Sequence, residues 1–589
     1  MTKKQMSVVL VRSPQPYLLA DDGSLHSPNR FQTPEPTLPL LHGILEDAGQ
    51  RSGLEMKVTQ LDLRDYRQGK LTHNHYGDLQ LPYLGFPLRK MVSGKSIESS
   101  FDSMEEADAV GFTNNFAMSR NVVLDNIRKV RQKFPDKEIW LGGRDIFPED
   151  NPITGLDEVT NLYVRAAGGK NVVVFDGHVF SSLPEYIKFK AGKDANLHGV
   201  ITFDKNGTKI VAPNIPLTKL AKEHHEFSAP LPIYPDPDLL ELFNGSGEGP
   251  INDGRGRFAY MTISIGCPHD CGYCTTGFRE RYTVRRTMKD IERELQLYKK
   301  LGVKTLGIMD DNILVMPPET VNDIMGLVNS FGFNIEYGNG LELKSLLRNW
   351  DKIHESVLKN CTTLYAPLEN LSKDSFYRKL NPWVENIELL TRVRNYFDQI
   401  GGERYVTMGV ILGIPGDTRK GLEEILPKNV ERFLEVFEGS NVVRTAVTPF
   451  IFMPLFKTPF GKVALNSGGM VIDTIVDHPE GIQFEGVTYG PAGMGTPVEA
   501  AKIVYDAYCR TMNMNPAGRL GPDGTYLGGT YEELKRWGGK APSLKGRVPL
   551  QWSELGGDLT DGRVAGAGLH YKAPMTKEIA EQNRRLLAA

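Results

Sequence analysis

The stretch Gly266-Cys267-Pro268-His269-Asp270-Cys271-Gly272-Tyr273-Cys274 puts three of the chain's five cysteines on one loop, spaced Cys-x3-Cys-x2-Cys. It follows the apolar run from Tyr260 to Ile265, which reads as a strand, so the three thiols leave a strand end together. Three thiolates on one loop can hold three corners of a cubane iron-sulfur cluster and leave the fourth iron open to another ligand. A structural zinc site usually closes with four ligands. Cys361 and Cys509 lie far along the chain without a second Cys-x2-Cys pair, although His269 could complete a zinc set. A buried, unliganded cysteine cluster is the third reading.

The array, with an aromatic directly before its last cysteine, resembles the radical S-adenosylmethionine (radical SAM) superfamily. The resemblance implies that Cys267, Cys271 and Cys274 ligate a 4Fe-4S cluster. It also implies that the open iron chelates the amino and carboxylate groups of S-adenosylmethionine, with Tyr273 near the adenine.

At 589 residues the chain is too long for one ordinary domain. A net charge of −3 carries no basic excess for a phosphate backbone, so nucleic acid is not an expected partner. No stretch approaches the roughly 18 apolar residues a membrane span requires. The start runs into a strand-like segment without a cleavage site. With few cysteines outside the array, a reducing, cytoplasmic setting is expected.

Residues 1–215 read as alternating strands and helices: strands near 7–12, 56–63, 107–112, 138–141 and 171–175, with helices near 34–49, 121–134 and 182–188. That alternation predicts a doubly wound, Rossmann-like parallel sheet, whose ligands bind beyond the carboxyl ends of the strands where strand order switches. The order strand, Gly111-Phe-Thr113, helix, strand, Gly142-Gly143 resembles the cobalamin-binding domains attached to many radical SAM enzymes. By that resemblance Thr113, Asn114 and Asn115 approach the corrin or nucleotide side, Gly142 and Gly143 flank the nucleotide tail, and Gly177 is the one match in Phe175-Asp-Gly177-His178, where related domains usually show Gly-Glu-Gly-Glu. Such domains often carry Asp-x-His-x-x-Gly, whose histidine is the lower cobalt ligand; here the loop reads Asp62-Leu-Arg64-Asp-Tyr-Arg67-Gln-Gly69. A protonated arginine does not coordinate, so a cobalamin here is expected to lack a histidine ligand. Arg64 or Arg67 would shield that face, or else be solvated surface arginines.

Residues 216–256, rich in Pro, Asp and Gly, read as a linker. Residues 257–460 then give six strand-helix units, with strands near 260–266, 304–309, 333–338, 362–368, 405–412 and 442–450. They predict a partial (β/α)6 barrel with its chemistry at the carboxyl rim. By resemblance, S-adenosylmethionine contacts come from Asp310 and Asp311 after the second strand and from Glu369 after the fourth. Gly413, Pro415 and Gly416 supply the rest, in the turn after the fifth strand. Glu336, Tyr337 and Asn339 are expected to face the rim and touch substrate or cofactor. Residues 461–589 read as a loop-rich cap holding substrate specificity.

Taken together, the resemblance implies a cobalamin-dependent radical SAM methyltransferase. Methyl would pass from S-adenosylmethionine via methylcobalamin to a carbon of a small molecule or amino acid in natural-product biosynthesis such as antibiotic formation, tryptophan C2 being one candidate. An external flavodoxin- or ferredoxin-type electron donor would serve it. The rival readings are ring rearrangement or cyclisation, phosphinate methylation on the same architecture, and a non-enzymatic cobalamin- or metal-binding regulator.

Overall fold

The computed structural model describes residues 4–514 apart from internal stretches, the longest being 20–30, 147–157, 213–225, 245–255, 275–282, 373–382 and 472–486. Shorter ones include 65–71 and Gly177, so Arg67 and Gly177, and the proposed cap beyond Met514, lie outside the described residues.

The first third forms a sheet of β1 (Lys4–Arg12), β2 (Leu54–Asp62), β3 (Ala109–Thr113), β4 (Glu138–Gly142), β5 (Val172–Phe175), β6 (Val200–Phe203) and β7 (Lys209–Ala212). The spatial order is 7-6-5-4-3-1-2. The five strands from β1 to β5 run parallel, while β6 and β7 extend the edge antiparallel. Strands such as Val172-Val-Val-Phe175 are almost continuously apolar because both faces are covered. Helices α1 (Thr37–Ser52) and α4 (Val179–Lys190) pack on one face with Val8, Leu10 and Trp140. Helices α2 (Arg120–Lys133) and α3 (Glu158–Ala166) pack on the other with Val9, Val11 and Phe112. The parallel order 2-1-3-4-5 places the switch point between β1 and β3.

The second sheet holds β8 (Arg257–Met261), β9 (Val303–Ile308), β10 (Asn334–Tyr337), β11 (Cys361–Glu369), β12 (Arg404–Leu412) and β13 (Val443–Ile451), all parallel and in sequence order. The helices outside it are α5 (Met288–Lys300), α6 (Pro318–Ser330), α7 (Trp350–Leu358), α8 (Trp383–Ile400) and α9 (Leu426–Glu435). The start of α5 is set by Thr287, whose hydroxyl accepts from the Asp290 N–H, and its buried stripe of Ile291, Leu295 and Tyr298 faces the barrel wall. Leu364, Ala366 and Leu368 join this outer core, so Tyr365, Pro367 and Glu369 on the same strand face the barrel interior. Helix α10 (Pro459–Asn466) packs with Ile414 and Phe452 beyond the ends of β12 and β13, and α11 (Pro497–Met514) packs along β13.

Two features depart from the expected layout. The first barrel strand stops at Met261, and Ser264–Ile265 leave it to pair with Val284–Arg286 in a small separate sheet that also takes Glu226–Phe227 from the linker. A second small antiparallel sheet joins Pro16–Leu19, just after β1, to Thr72–Leu79 and Leu88–Gly94, which lie between β2 and β3 in sequence.

Candidate active site at the cluster loop

The loop carrying Cys267, Cys271 and Cys274 is closed by the Cys274 N–H donating to the Cys271 carbonyl at 3.0 Å. All three cysteines are half-buried and none forms a disulfide. The loop is seated on α10, where the Phe460 N–H donates to the Gly272 carbonyl at 3.0 Å. Phe460 also lies flush against Gly272, so that a Cβ there would fall 2.6 Å from its ring. Burial pushes the Cys267 thiol up to about 11 and the Cys271 thiol up to about 12. Their neighbours add to it: Cys274, Asp311 and Glu342 act on Cys267, and Glu369, Cys274 and Cys267 act on Cys271. Three thiols crowded together and rimmed by carboxylates ionise readily only around a cation, and a metal cluster supplies that charge, so the donor set fits a thiolate-held cluster. No three His, Cys, Asp or Glu side chains among the described residues gather as ligands of a single ion. His269 is turned to Glu342 instead, with Nε2 3.0 Å from the carboxylate.

Carboxylates brace the loop from two barrel strands. Asp310 is buried and accepts from the Ile263 N–H at 2.7 Å, the Ser264 N–H at 2.6 Å and the Ser264 hydroxyl, which draws the chain out of β8 and into the cysteine loop. Its carboxyl is pushed up to about 7, chiefly by burial, with Asp311 adding to the rise. Asp311 accepts from the Gly266 N–H at 3.3 Å. Glu342 accepts from Ser345 at 2.6 Å and Asn312 at 3.2 Å besides meeting His269. Burial opposes its ionisation, but the His269 and Ser345 hydrogen bonds outweigh that and hold it down to about 2. Asn339 stands at this rim, donating to the Met309 carbonyl at 2.8 Å.

Glu369 ends β11 with φ 61°, an unusual conformation for a residue other than glycine, beside a register shift in the ladder with β12. The strained backbone aims its carboxylate at the cluster loop, where the Tyr273 hydroxyl hydrogen-bonds to it. Burial raises the Glu369 carboxyl and the Tyr273 contact lowers it, with a net rise. The turn after β12 is tied down by buried Asp417, which accepts from the Gly413 N–H at 2.8 Å, the Ile414 N–H at 3.2 Å, Ser372 at 2.6 Å and Asn370 at 2.8 Å. Gly413 and Gly416 both have positive φ, 80° and 98°, which this turn requires. Asp417 was absent from the expected site residues and is the knot that joins the β11 and β12 ends. A single Asp in a Gly-Pro-Gly turn gave no signal of its four donors.

The structure corrects several expectations. Tyr337 does not face the rim: it is 1% exposed, packs among the outer core and donates to the Val357 carbonyl at 2.7 Å. Its strand neighbour Glu336 is the inward residue, fully buried inside the barrel. Arg64 is not a solvated surface arginine. It is 3% exposed and forks onto Asp62 at 2.8 and 2.6 Å. That pair, with Arg12 at the end of β1, holds the Asp62 carboxyl below the usual range despite burial, which opposes ionisation. Asn114 is fully buried, its amide donating to Tyr163 at 2.6 Å and Asp145 at 3.3 Å, while Arg120 forks onto Asp145 at 2.9 and 2.6 Å. Asn114 therefore helps set the loop's shape. Gly143, at φ 114°, is glycine because a Cβ would fall 2.2 Å from the Asn114 carbonyl oxygen. Thr113 is buried at the end of β3, and Asn115 beyond it is half-buried. Gly142 ends β4, where a Cβ would meet only an ordinary contact.

The carboxyl rims of the two halves meet. Phe180, just past the end of β5, lies 5.1 Å from the Phe227 ring, and Phe227 packs with Ile265 and Val284 at the root of the cysteine loop. Tyr83, from the excursion between β2 and β3, lies tilted 5.4 Å from the Tyr505 ring of α11 and accepts from the Val487 N–H. Val504, beside Tyr505, is the residue a Cβ on Gly413 would strike at 2.8 Å.

Residues 261–426 match the radical SAM superfamily. The chain therefore combines a radical SAM domain with a Rossmann-like parallel sheet. Among curated proteins it is similar to the ribosomal protein uS12 methylthiotransferase RimO of Chlorobium luteolum, 27% identical over 28% of this chain and 39% of that protein. It is similar also to the tRNA-2-methylthio-N(6)-dimethylallyladenosine synthase of Clostridium botulinum, 22% identical over 30% of this chain and 40% of that protein. The chain thus spans about two fifths of the length of these curated relatives. Among solved structures it resembles the radical S-adenosylmethionine methyltransferase TsrM from Kitasatospora setae, solved with cobalamin and a 4Fe-4S cluster. The identity is 14%, the coverage 85% of each chain and the TM-score 0.46. A radical SAM domain implies a 4Fe-4S cluster and S-adenosylmethionine. No helix among the described residues is long and apolar enough to cross a membrane.

Proposed function

We propose that the protein is a cobalamin-dependent radical SAM methyltransferase that moves a methyl group from S-adenosylmethionine, by way of a bound cobalamin, to a carbon of a small molecule. The observation that carries this reading is the packing of Phe180 and Phe227 against Ile265, which sets the β5 loop of the Rossmann-like sheet beside the root of the cysteine loop. Group transfer between two cofactors needs that proximity. When bound, the cluster supplies an electron for cleaving S-adenosylmethionine and the corrin carries the methyl group. The chain's own part is positional. Cys267, Cys271 and Cys274 would hold the cluster, and Tyr273, Asp311, Glu369 and the 413–416 turn surround the space next to it. Asp310 and Asp417 hold those pieces in place through backbone N–H groups. No histidine stands in the 62–69 loop, so the lower cobalt face lacks an imidazole from there. An external flavodoxin- or ferredoxin-type protein would deliver the electron, and a place in natural-product biosynthesis fits the carbon-methylation reading.

Methylthiolation is a second reading, favoured by the matched segments of the two curated relatives. A methylthio product needs a sulfur source, and this chain has only Cys361 and Cys509 beyond the array, Cys361 being wholly buried at the start of β11. Anaerobic turnover with methyl-labelled S-adenosylmethionine separates the readings. A product heavier by one labelled methyl supports methyl transfer, one that also gains sulfur supports methylthiolation, and a rearranged, unlabelled product supports ring chemistry. Absence of turnover together with tight cobalamin binding points to a regulator.

A further inference from the structure

Inside the barrel, below Glu369, three hydroxyls lie on neighbouring strands. Tyr365 of β11 is in register with Thr407 of β12, and Gly409 of β12 is in register with Thr448 of β13. All three side chains point inward, since Val406, Met408 and Val447 beside them belong to the outer core. Thr407 is 3% exposed and Thr448 7%. Neither hydroxyl, nor that of Tyr365, hydrogen-bonds to a described residue, although the rest of the barrel mouth is densely bonded. None of the three oxygens is among the fully enclosed unpaired polar atoms, so each opens onto space inside the barrel. Hydroxyls so placed can donate to or accept from a ligand that enters that space.

The Tyr365 ring is clamped. A Cβ on Gly340 would fall 2.7 Å from one edge of it, and a Cβ on Gly409 would fall 1.8 Å from its hydroxyl. Only glycine at both places lets the ring lie flat across the barrel, and Phe450 meets it edge-on at 6.0 Å between centroids. The phenol's direction is thereby fixed in advance, as a recognition group's should be.

We propose that Tyr365, Thr407 and Thr448 form a subsite for the acceptor: a neutral, planar ring or amide whose hydrogen-bonding edge meets these hydroxyls. Carboxylates flank the site, with Glu369 above and buried Glu336 in the layer below, in register with Thr363 two residues before Tyr365. Anionic ends are therefore disfavoured here. The assignment rests on the methyltransferase reading only for calling the ligand an acceptor; the binding itself does not.

The test reads binding, not turnover. The reconstituted full chain is titrated by calorimetry with indole, benzamide and benzoate, and the titration is repeated with Thr407→Val, Thr448→Val and Tyr365→Phe. Saturable binding of indole or benzamide is expected, at least tenfold weaker in the triple variant, with benzoate bound at least tenfold more weakly than benzamide. Valine keeps the branched shape of threonine and phenylalanine the ring of tyrosine, so thermal midpoints are expected to hold. No saturable binding of either neutral probe, binding indifferent to the substitutions, benzoate preferred over benzamide, or a midpoint falling by several degrees would each overturn the assignment. Because the readout is affinity, the subsite can fail while labelled methyl transfer succeeds, and the reverse.

Discussion

Replacing Gly272 with alanine probes the seat of the cysteine loop directly. The added Cβ would lie 2.6, 2.8 and 2.9 Å from three atoms of the Phe460 ring. Relaxing those contacts to an ordinary ~3.5 Å demands a shift of roughly 0.6–0.9 Å. The ring has little room: Phe460 is 8% exposed, packs with Ile414, Phe452, Ala464 and Tyr489, and its own N–H bonds the Gly272 carbonyl. Overpacking of this kind costs about 1–3 kcal/mol, against a gain of about 0.4–1 kcal/mol from the stiffer unfolded chain. Gly272 has no positive φ, so backbone strain does not enter. The expected result is a net loss of about 1–2 kcal/mol in urea unfolding, with iron lost faster from the reconstituted protein. Phe460→Leu in the same chain should recover part of that, a coupling of about 1 kcal/mol in the double-mutant cycle. A Gly272→Ala protein as stable as the parent, with zero coupling to Phe460, would refute the reasoning.

Tyr273→Phe removes the hydroxyl that lowers the Glu369 carboxyl, so that carboxyl rises further and the acid limb of kcat/KM moves to higher pH, with iron content unchanged. Asp417→Asn turns an NH2 toward the Gly413 or Ile414 N–H and weakens four hydrogen bonds, costing about 2–4 kcal/mol in chemical denaturation. His269 is raised by Glu342, and Glu342 is lowered to about 2. The histidine's contribution is complete below its ordinary 6.5 and fades as pH rises through the raised value; the carboxylate's is complete above its ordinary 4.5 and fades as pH falls toward 2. The stability difference between the parent and His269→Gln should therefore peak between about pH 4.5 and 6.5 and shrink at pH 9.

Much of the frame was legible because it obeys local rules. The apolar runs and capped helices of the barrel give their positions to within a few residues, as Thr287 and the Ile291, Leu295, Tyr298 stripe do for α5. The cysteine spacing marked the cluster loop. Failures came where the sequence does not show which face or partner a side chain takes. A four-residue strand, Asn334-Ile-Glu-Tyr337, alternates too briefly to show which face Tyr337 takes, and its hydroxyl is satisfied by a carbonyl twenty residues on. Arg64 left a solvated reading open because its pairing with Asp62, two residues before it, depends on the burial of both at the end of β2. The early end of β8 follows from Asp310, 47 residues after the N–H it captures at Ile263. The edge pair β6 and β7 was missed because short strands around Asp204-Lys-Asn-Gly207 read as loop.

The central claim is that one loop of three cysteines carries an iron-sulfur cubane beside a corrin held by the first third of the chain. Iron, sulfide and cobalt are to be counted per chain after anaerobic reconstitution with hydroxocobalamin, in the parent and in Cys271→Ala. About four iron, four sulfide and one cobalt in the parent are expected, with iron lost and cobalt kept in the variant. One zinc with no retained corrin, or iron unaffected by loss of Cys271, would contradict it.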